Sequence, residues 1–173
     1  MNTGGTISLR KLFSDLIDLI TRETAEYGRL LELSRDVKET LMKNRVPELD
    51  KVVASQRTVL RNINELESKR AELFRSFSEQ SGIEEPTMRD IIGAAADEEK
   101  ERLILLSAAL EETAAELHRL NILNKTLIEA QIKYVSLCVN LVTGPCDFVE
   151  TYSSSGRVNG ENQARYRLVD QSV

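Results

Sequence analysis

The sequence predicts an all-α fold: an antiparallel up-down bundle of three long helices with a short extra helix and coiled-coil-like packing. Three observations predict it. The 173 residues include only 8 Gly and 3 Pro, too few turn formers for a chain of many short strands. A composition of 41% hydrophobic and 29% charged residues suits long helices with one apolar and one solvated face. Through most of the chain the apolar positions also step by threes and fours, the spacing of a heptad seam.

The first helix is read from Leu9, Phe13, Leu16, Ile20, Glu23, Tyr27, Leu30, Ser34, Val37 and Leu41, a seam with two polar interruptions. Asn44 then supplies a helix-ending residue, and Pro47 suits the first turn of the next helix, with Glu48 and Asp50 favourable to its dipole. The second seam runs Leu49, Val52, Gln56, Val59, Ile63, Leu66, Arg70, Leu73 and Phe77 and stops at Ser81-Gly82, where Ile83 can fold back over the terminus. The pair reads as an antiparallel hairpin.

Thr87 followed by Asp90 resembles a capping box with the shorter acid, so a helix restarts there. Gly93 and the alanines after it interrupt that helix, and a long one begins near Asp97. Its seam carries Leu103, Leu106, Leu110, Thr113, Leu117, Leu120, Asn124, Leu127, Gln131, Tyr134, Cys138 and Leu141, and Gly144-Pro145 closes it. Residues 1–143 are thus read as a helical bundle. Residues 144–173, rich in Ser, Asn, Gly and Gln and without a helical stripe, are read as a flexible tail.

Charge and chemistry narrow the function. Lys+Arg number 23 and Asp+Glu 28, a net charge of −5, which argues against a nucleic-acid binder driven by phosphate neutralisation. The longest apolar run, Leu103 to Leu110, is far short of the roughly 20 residues that span a bilayer, and no secretion signal is visible at the amino terminus. Two lone thiols, Cys138 and Cys146, fit a reducing cytosol. Phosphate-cradling, GxSxG and HExxH patterns are absent. The single histidine, His118, has Ala115 where a bundle-type di-metal site would want Glu. The reading is a cytoplasmic protein that is not an enzyme and uses no cofactor or metal.

Five acid-before-base pairs at four-residue spacing (Asp18/Arg22, Glu39/Lys43, Glu65/Lys69, Glu98/Arg102, Glu129/Lys133) support the helices and are read as solvated faces. The polar residues in seam slots, Gln56, Arg70, Asn124 and Gln131, have two readings. They are register devices, or they lie at a rim, the reading favoured for Gln56 and Arg70. The segment Leu127 to Val142 carries most of the functional signal. Wound at about 100° per residue, its apolar residues cover an arc of about 220°, twice what a bundle surface helix requires. Either the helix end is central or pairs with its copy in a homodimer, or it receives another protein's amphipathic segment.

The residues then resemble the FlgN family of flagellar export chaperones. Leu16 to Leu31 reads L-x-x-L-I-x-x-E-x-x-x-Y-x-x-L-L, and the second helix carries Leu66-Glu67-x-x-Arg70. The third element, spanning Leu117 to Leu127, contains Asn121-x-x-Asn124-x-x-Leu127, and Tyr152 to Gly156 matches a tail Tyr-x-x-x-Gly. The resemblance implies a cytosolic bacterial chaperone that binds the hook-filament junction proteins FlgK and FlgL and delivers them to the flagellar type III export gate. It also implies cargo binding through the carboxy-terminal helical part, where the excess apolar arc falls. On that reading Ile128, Ile132, Val135, Val139 and Val142 face cargo, Tyr152 is a partner contact, and Tyr134 and Leu141 lie mainly in the bundle. Asn121 and Asn124 match the family motif, with a structural role in fixing register as the other reading. A structural coiled-coil adaptor that releases no cargo is the alternative.

Overall fold

The structure, a computed structural model, describes residues 9–143. Among them the regular structure is helical, in four elements: α1 (Leu9–Met42), α2 (Val46–Ser81), α3 (Met88–Ala94) and α4 (Asp97–Thr143). The chain divides into two units, one ending at Ile132 and one beginning at Lys133. Of the second, the described residues are the last turns of α4.

Helix ends follow their local chemistry. Asn44 takes the left-handed conformation at φ 54°, and the Arg45 amide donates to the Thr40 carbonyl, which closes α1 in the manner of a positive-φ cap. Pro47 lies in the first turn of α2, where its missing N–H costs nothing. At the far end Gly82 sits at φ 71° with its amide donating to Ser78, a conformation glycine adopts without a Cβ penalty. Ile83 does not close over that terminus and stays exposed, while Ser78 donates its hydroxyl to the Ile83 carbonyl at 2.7 Å. Thr87 caps α3: its hydroxyl accepts from the Asp90 amide, and the Asp90 carboxylate accepts from the Thr87 amide at 2.8 Å. The Thr87 hydroxyl also donates to the Asp90 carboxylate at 2.6 Å, and this bond together with that from the Thr87 amide holds the Asp90 carboxyl below its ordinary range.

The unit ending at Ile132 has two apolar centres. The first joins Leu12, Phe13, Leu16, Ile17 and Ile20 of α1 to Phe77 of α2, Ile91 of α3 and Leu103 of α4, with the Phe13 and Phe77 rings tilted at 52° and 6.5 Å apart. The second joins Leu30 and Leu31 to Val59 and Ile63 of α2 and Leu117 of α4. Each fully buried leucine or phenylalanine contributes roughly 1.5–3 kcal/mol of transfer free energy. α1 supplies residues to both centres.

Polar layers alternate with the apolar ones. Glu23, fully buried, accepts from Arg70 of α2 at 3.1 Å, and one turn on Tyr27 donates to Glu67 at 3.0 Å. Beyond the second centre, Ser34 accepts from the Gln56 side chain at 3.1 Å through its hydroxyl and from the Asn124 side chain at 2.8 Å through its carbonyl. Gln131 donates to the Leu41 carbonyl. As the partners advance along α1 from Glu23 to Ser34, they recede along α2 from Arg70 to Gln56. On α4 they advance together with α1.

The two residues read as seam interruptions, Glu23 and Ser34, are therefore among the most buried of the chain. Gln56 and Arg70 are half-buried and bonded to α1, so both readings hold in part: a long polar side chain sits at the rim and still reaches an acceptor inside. Of the five predicted acid-base pairs, only Glu39–Lys43 closes among the described residues. The others stay apart, in keeping with the small stabilisation, a few tenths of a kcal/mol, that such exposed pairs bring.

Candidate partner-binding surface

α1 has 34 residues and α4 has 47. The pairing of Leu41 with Gln131 brings α1 to within one residue of its end at Met42, while α4 continues to Thr143. The seam pattern in the sequence continues with it, through Tyr134, Cys138 and Leu141. Along α4 the buried residues are Leu103, Leu117 and Asn124, so its last apolar buried side chain comes 26 residues before its end.

In the unit ending at Ile132, Ile128 is 40% exposed and Ile132 is exposed more fully. In the last turns of α4, Val135 and Val139 are more than half exposed and Val142 is 87% exposed. These are the five residues that the sequence places toward cargo. Tyr134 and Leu141, expected to lie mainly in the bundle, are instead 69% and 85% exposed. Seam spacing identifies the side a helix would turn to a partner. It does not say whether that side is covered. Leu137 is exposed as well, although the sequence reading gave it no role.

This stretch is mostly apolar. Cys138 is a half-buried free thiol one helical turn beyond Tyr134, and its hydrogen bond holds the Tyr134 phenol above its ordinary range. Lys133 is the one formal charge between Gln131 and Thr143. Among the described residues no three His, Cys, Asp or Glu side chains gather to hold a metal. His118 is exposed. Among the described residues no helix is long and apolar enough to cross a membrane.

Of the two motif asparagines, Asn124 is buried and bonded to Ser34, while Asn121 is exposed. Tyr152 and Gly156, and with them the tail read over residues 144–173, lie outside the described residues. What the sequence reading missed is the identity of the buried polar pairs. The signal for Glu23 with Arg70 was present as one acid and one base in seam slots of successive helices.

Comparison with known proteins adds an independent line. The family described as FlgN protein matches residues 7–160. The uncharacterised protein YvyG of Bacillus subtilis (strain 168) is 23% identical over 158 residues, which cover 91% of this chain and 97% of that protein. No solved structure matches the chain.

Proposed function

The chain belongs to the FlgN family, and from that membership we propose that it is a cytoplasmic flagellar export chaperone. It binds the hook-filament junction proteins FlgK and FlgL through the apolar residues of α4, keeps them from assembling early and hands them to the export gate. It hydrolyses nothing. The observation that carries the reading is the exposure of large apolar side chains through the last turns of α4, since soluble chains leave such clusters in water chiefly where a partner covers them.

The physical basis is helix-in-groove recognition. Junction proteins end in helices that assemble through apolar seams, and an amphipathic segment of that kind can lay its apolar face against Ile128, Ile132, Val135, Val139 and Val142. Tyr134 and Leu141 join this set, because their exposure supports a contact role and not a core role. While bound, the cargo seam is withheld from other copies by mass action. The order of polar partners along α1, α2 and α4 supports an up-down-up bundle as the frame that carries α4, with Asn124 and Gln131 setting its register. Tyr152 remains a proposed partner contact.

The test is binding of the full chain to full-length FlgK and to FlgK lacking its terminal helices. Affinity is lost on the truncation, and Ile132→Asp or Val139→Asp abolishes binding to intact FlgK while the thermal transition moves little. Equal affinity for the two FlgK forms, or a large loss of helicity in either variant, overturns the reading. A coiled-coil adaptor without release would hold its partner permanently, so failure of the export gate to discharge the complex would favour that reading.

A further inference from the structure

Between the second half of α1 and the middle of α4, within the unit ending at Ile132, lies an open groove of about 550 Å³. Its floor is apolar: Met42 of α1 with Leu120 and Leu123 of α4, of which Met42 and Leu123 are exposed. Its walls carry five charges. Three take part in ion pairs: Arg35 bonds both Glu32 and Glu116, a trio that keeps one excess negative charge, and Glu39 bonds Lys43. The two that remain, Lys38 and Arg119, are both cations, and neither forms an ion pair among the described residues. Counted with their ion-pair partners, the charges of this cleft sum to one positive, in a chain whose net charge is −5.

We propose that this groove docks an amphipathic helix of a partner protein whose polar edge is acidic. The side chains of two neighbouring helices leave a furrow whose natural filling is a third helix, ridge into groove. The floor residues Leu120 and Leu123 are three apart, the spacing that meets an i, i+3 or i, i+4 apolar pair on an incoming helix. Met42, unbranched and flexible, adapts to the shape of what enters. The wall residues run from Arg35 to Met42 on α1, about 10 Å at 1.5 Å per residue, or two turns of contact. Lys38 and Arg119 then select against a basic or neutral edge and favour acidic residues flanking the apolar pair. None of these residues belongs to the set proposed above for cargo, so the groove stands or falls independently of it.

The test uses the full chain and two labelled synthetic peptides, a short Leu/Ala helix with Glu on both flanks and its twin with Lys in place of each Glu. Fluorescence anisotropy should show the Glu peptide binding and the Lys peptide not, with affinity falling as salt rises. The paired charge reversal Lys38→Glu with Arg119→Glu should weaken the Glu peptide by about tenfold or more and admit the Lys peptide. Ile132→Asp should leave both results unchanged, and circular dichroism should show intact helix content in every variant. The milder pair Lys38→Ala with Arg119→Ala provides the same readout should the reversal unfold the chain. A photo-crosslinker at Leu123 should capture the Glu peptide. Equal binding of the two peptides overturns the proposal, as does a loss caused by Ile132→Asp alone. Crosslinking of Leu123 to residues 144–173 or to a second copy also overturns it, by naming a different occupant.

Discussion

Asn124 of α4 donates its side-chain amide to the main-chain carbonyl of Ser34 on α1 at 2.8 Å, while its own side-chain oxygen is buried without a partner. The bond is specific in register, and the orphaned oxygen makes it costly. A buried acceptor left unsatisfied forfeits its hydration without return. This layer, with Gln56 completing it from α2, reads as a device for aligning helices more than for stabilising them.

Replacing Asn124 separates those two effects. Asn124→Ala opens a gap and removes the bond, and should lower stability by about 1–2 kcal/mol. Asn124→Leu fills the space and removes the orphaned oxygen too, so its urea midpoint should lie at or above that of the unmodified chain. The Ser34 carbonyl keeps its acceptor role within α1 in either case. Equilibrium urea unfolding of both variants distinguishes alignment from stabilisation.

Glu23 gives a prediction with a pH sign. Burial raises its carboxyl above the ordinary value, Arg70 opposes that rise, and Glu67 adds to it. With the folded value above the unfolded one, the folded state holds the proton more tightly. The group's contribution to stability is therefore largest below the unfolded value and is lost as pH rises through the folded one. At neutral pH Glu23→Gln should be neutral or stabilising, because Arg70 retains partial access to water. That advantage should shrink as the solution is acidified and the native carboxyl takes up its proton. Thermal unfolding across a pH series checks it, and an advantage that grew with acidification would be the opposite sign.

Two apolar truncations on α4 should differ sharply. Leu103 is fully buried in the first apolar centre, so Leu103→Ala should cost about 2–5 kcal/mol. Val142 is almost wholly in solvent, and Val142→Ala should stay within about 0.5 kcal/mol. Chemical denaturation measures both.

The reciprocal cap of α3 is tested by Thr87→Ala, which should cost about 0.5–2 kcal/mol. Since α3 has only 7 residues, the effect should be concentrated in faster hydrogen exchange of its amides. It should reach the first apolar centre through Ile91, whose side chain is fully buried there.

The helices and most of their ends were legible in the sequence because their causes are local. Pro47, Gly82 and the Thr87–Asp90 pair each act within a turn of themselves, and the seam positions follow from a period. Asn44 announced the end of α1 by residue type and takes the left-handed conformation that type tolerates. What was not legible depends on partners far apart in the chain. Glu23 and Arg70 are separated by 47 positions, and Ser34 and Asn124 by 90, so no window along the sequence joins them. Tyr134 and Leu141 were misplaced for a related reason. Heptad spacing persists in the sequence through both residues, and periodicity alone cannot register whether the side it marks is covered. The apolar character of the last turns of α4 was legible from the width of the arc, whereas the groove around Lys38 and Arg119 needed both of its walls.

Ser34 and Leu41 lie seven residues apart, as do Asn124 and Gln131, and each bonded pair is offset by the same 90 positions. The two rods therefore mesh like matched racks, with a pitch of one heptad. Deleting a single residue between Leu117 and Asn124 would turn everything after it by about 100°, pointing both amides away from their carbonyls at once. Deleting seven would bring equivalent teeth back into mesh. Length in this part of the molecule can thus change in steps of seven, and a longer or shorter reach for α4 is open only to changes that respect that count.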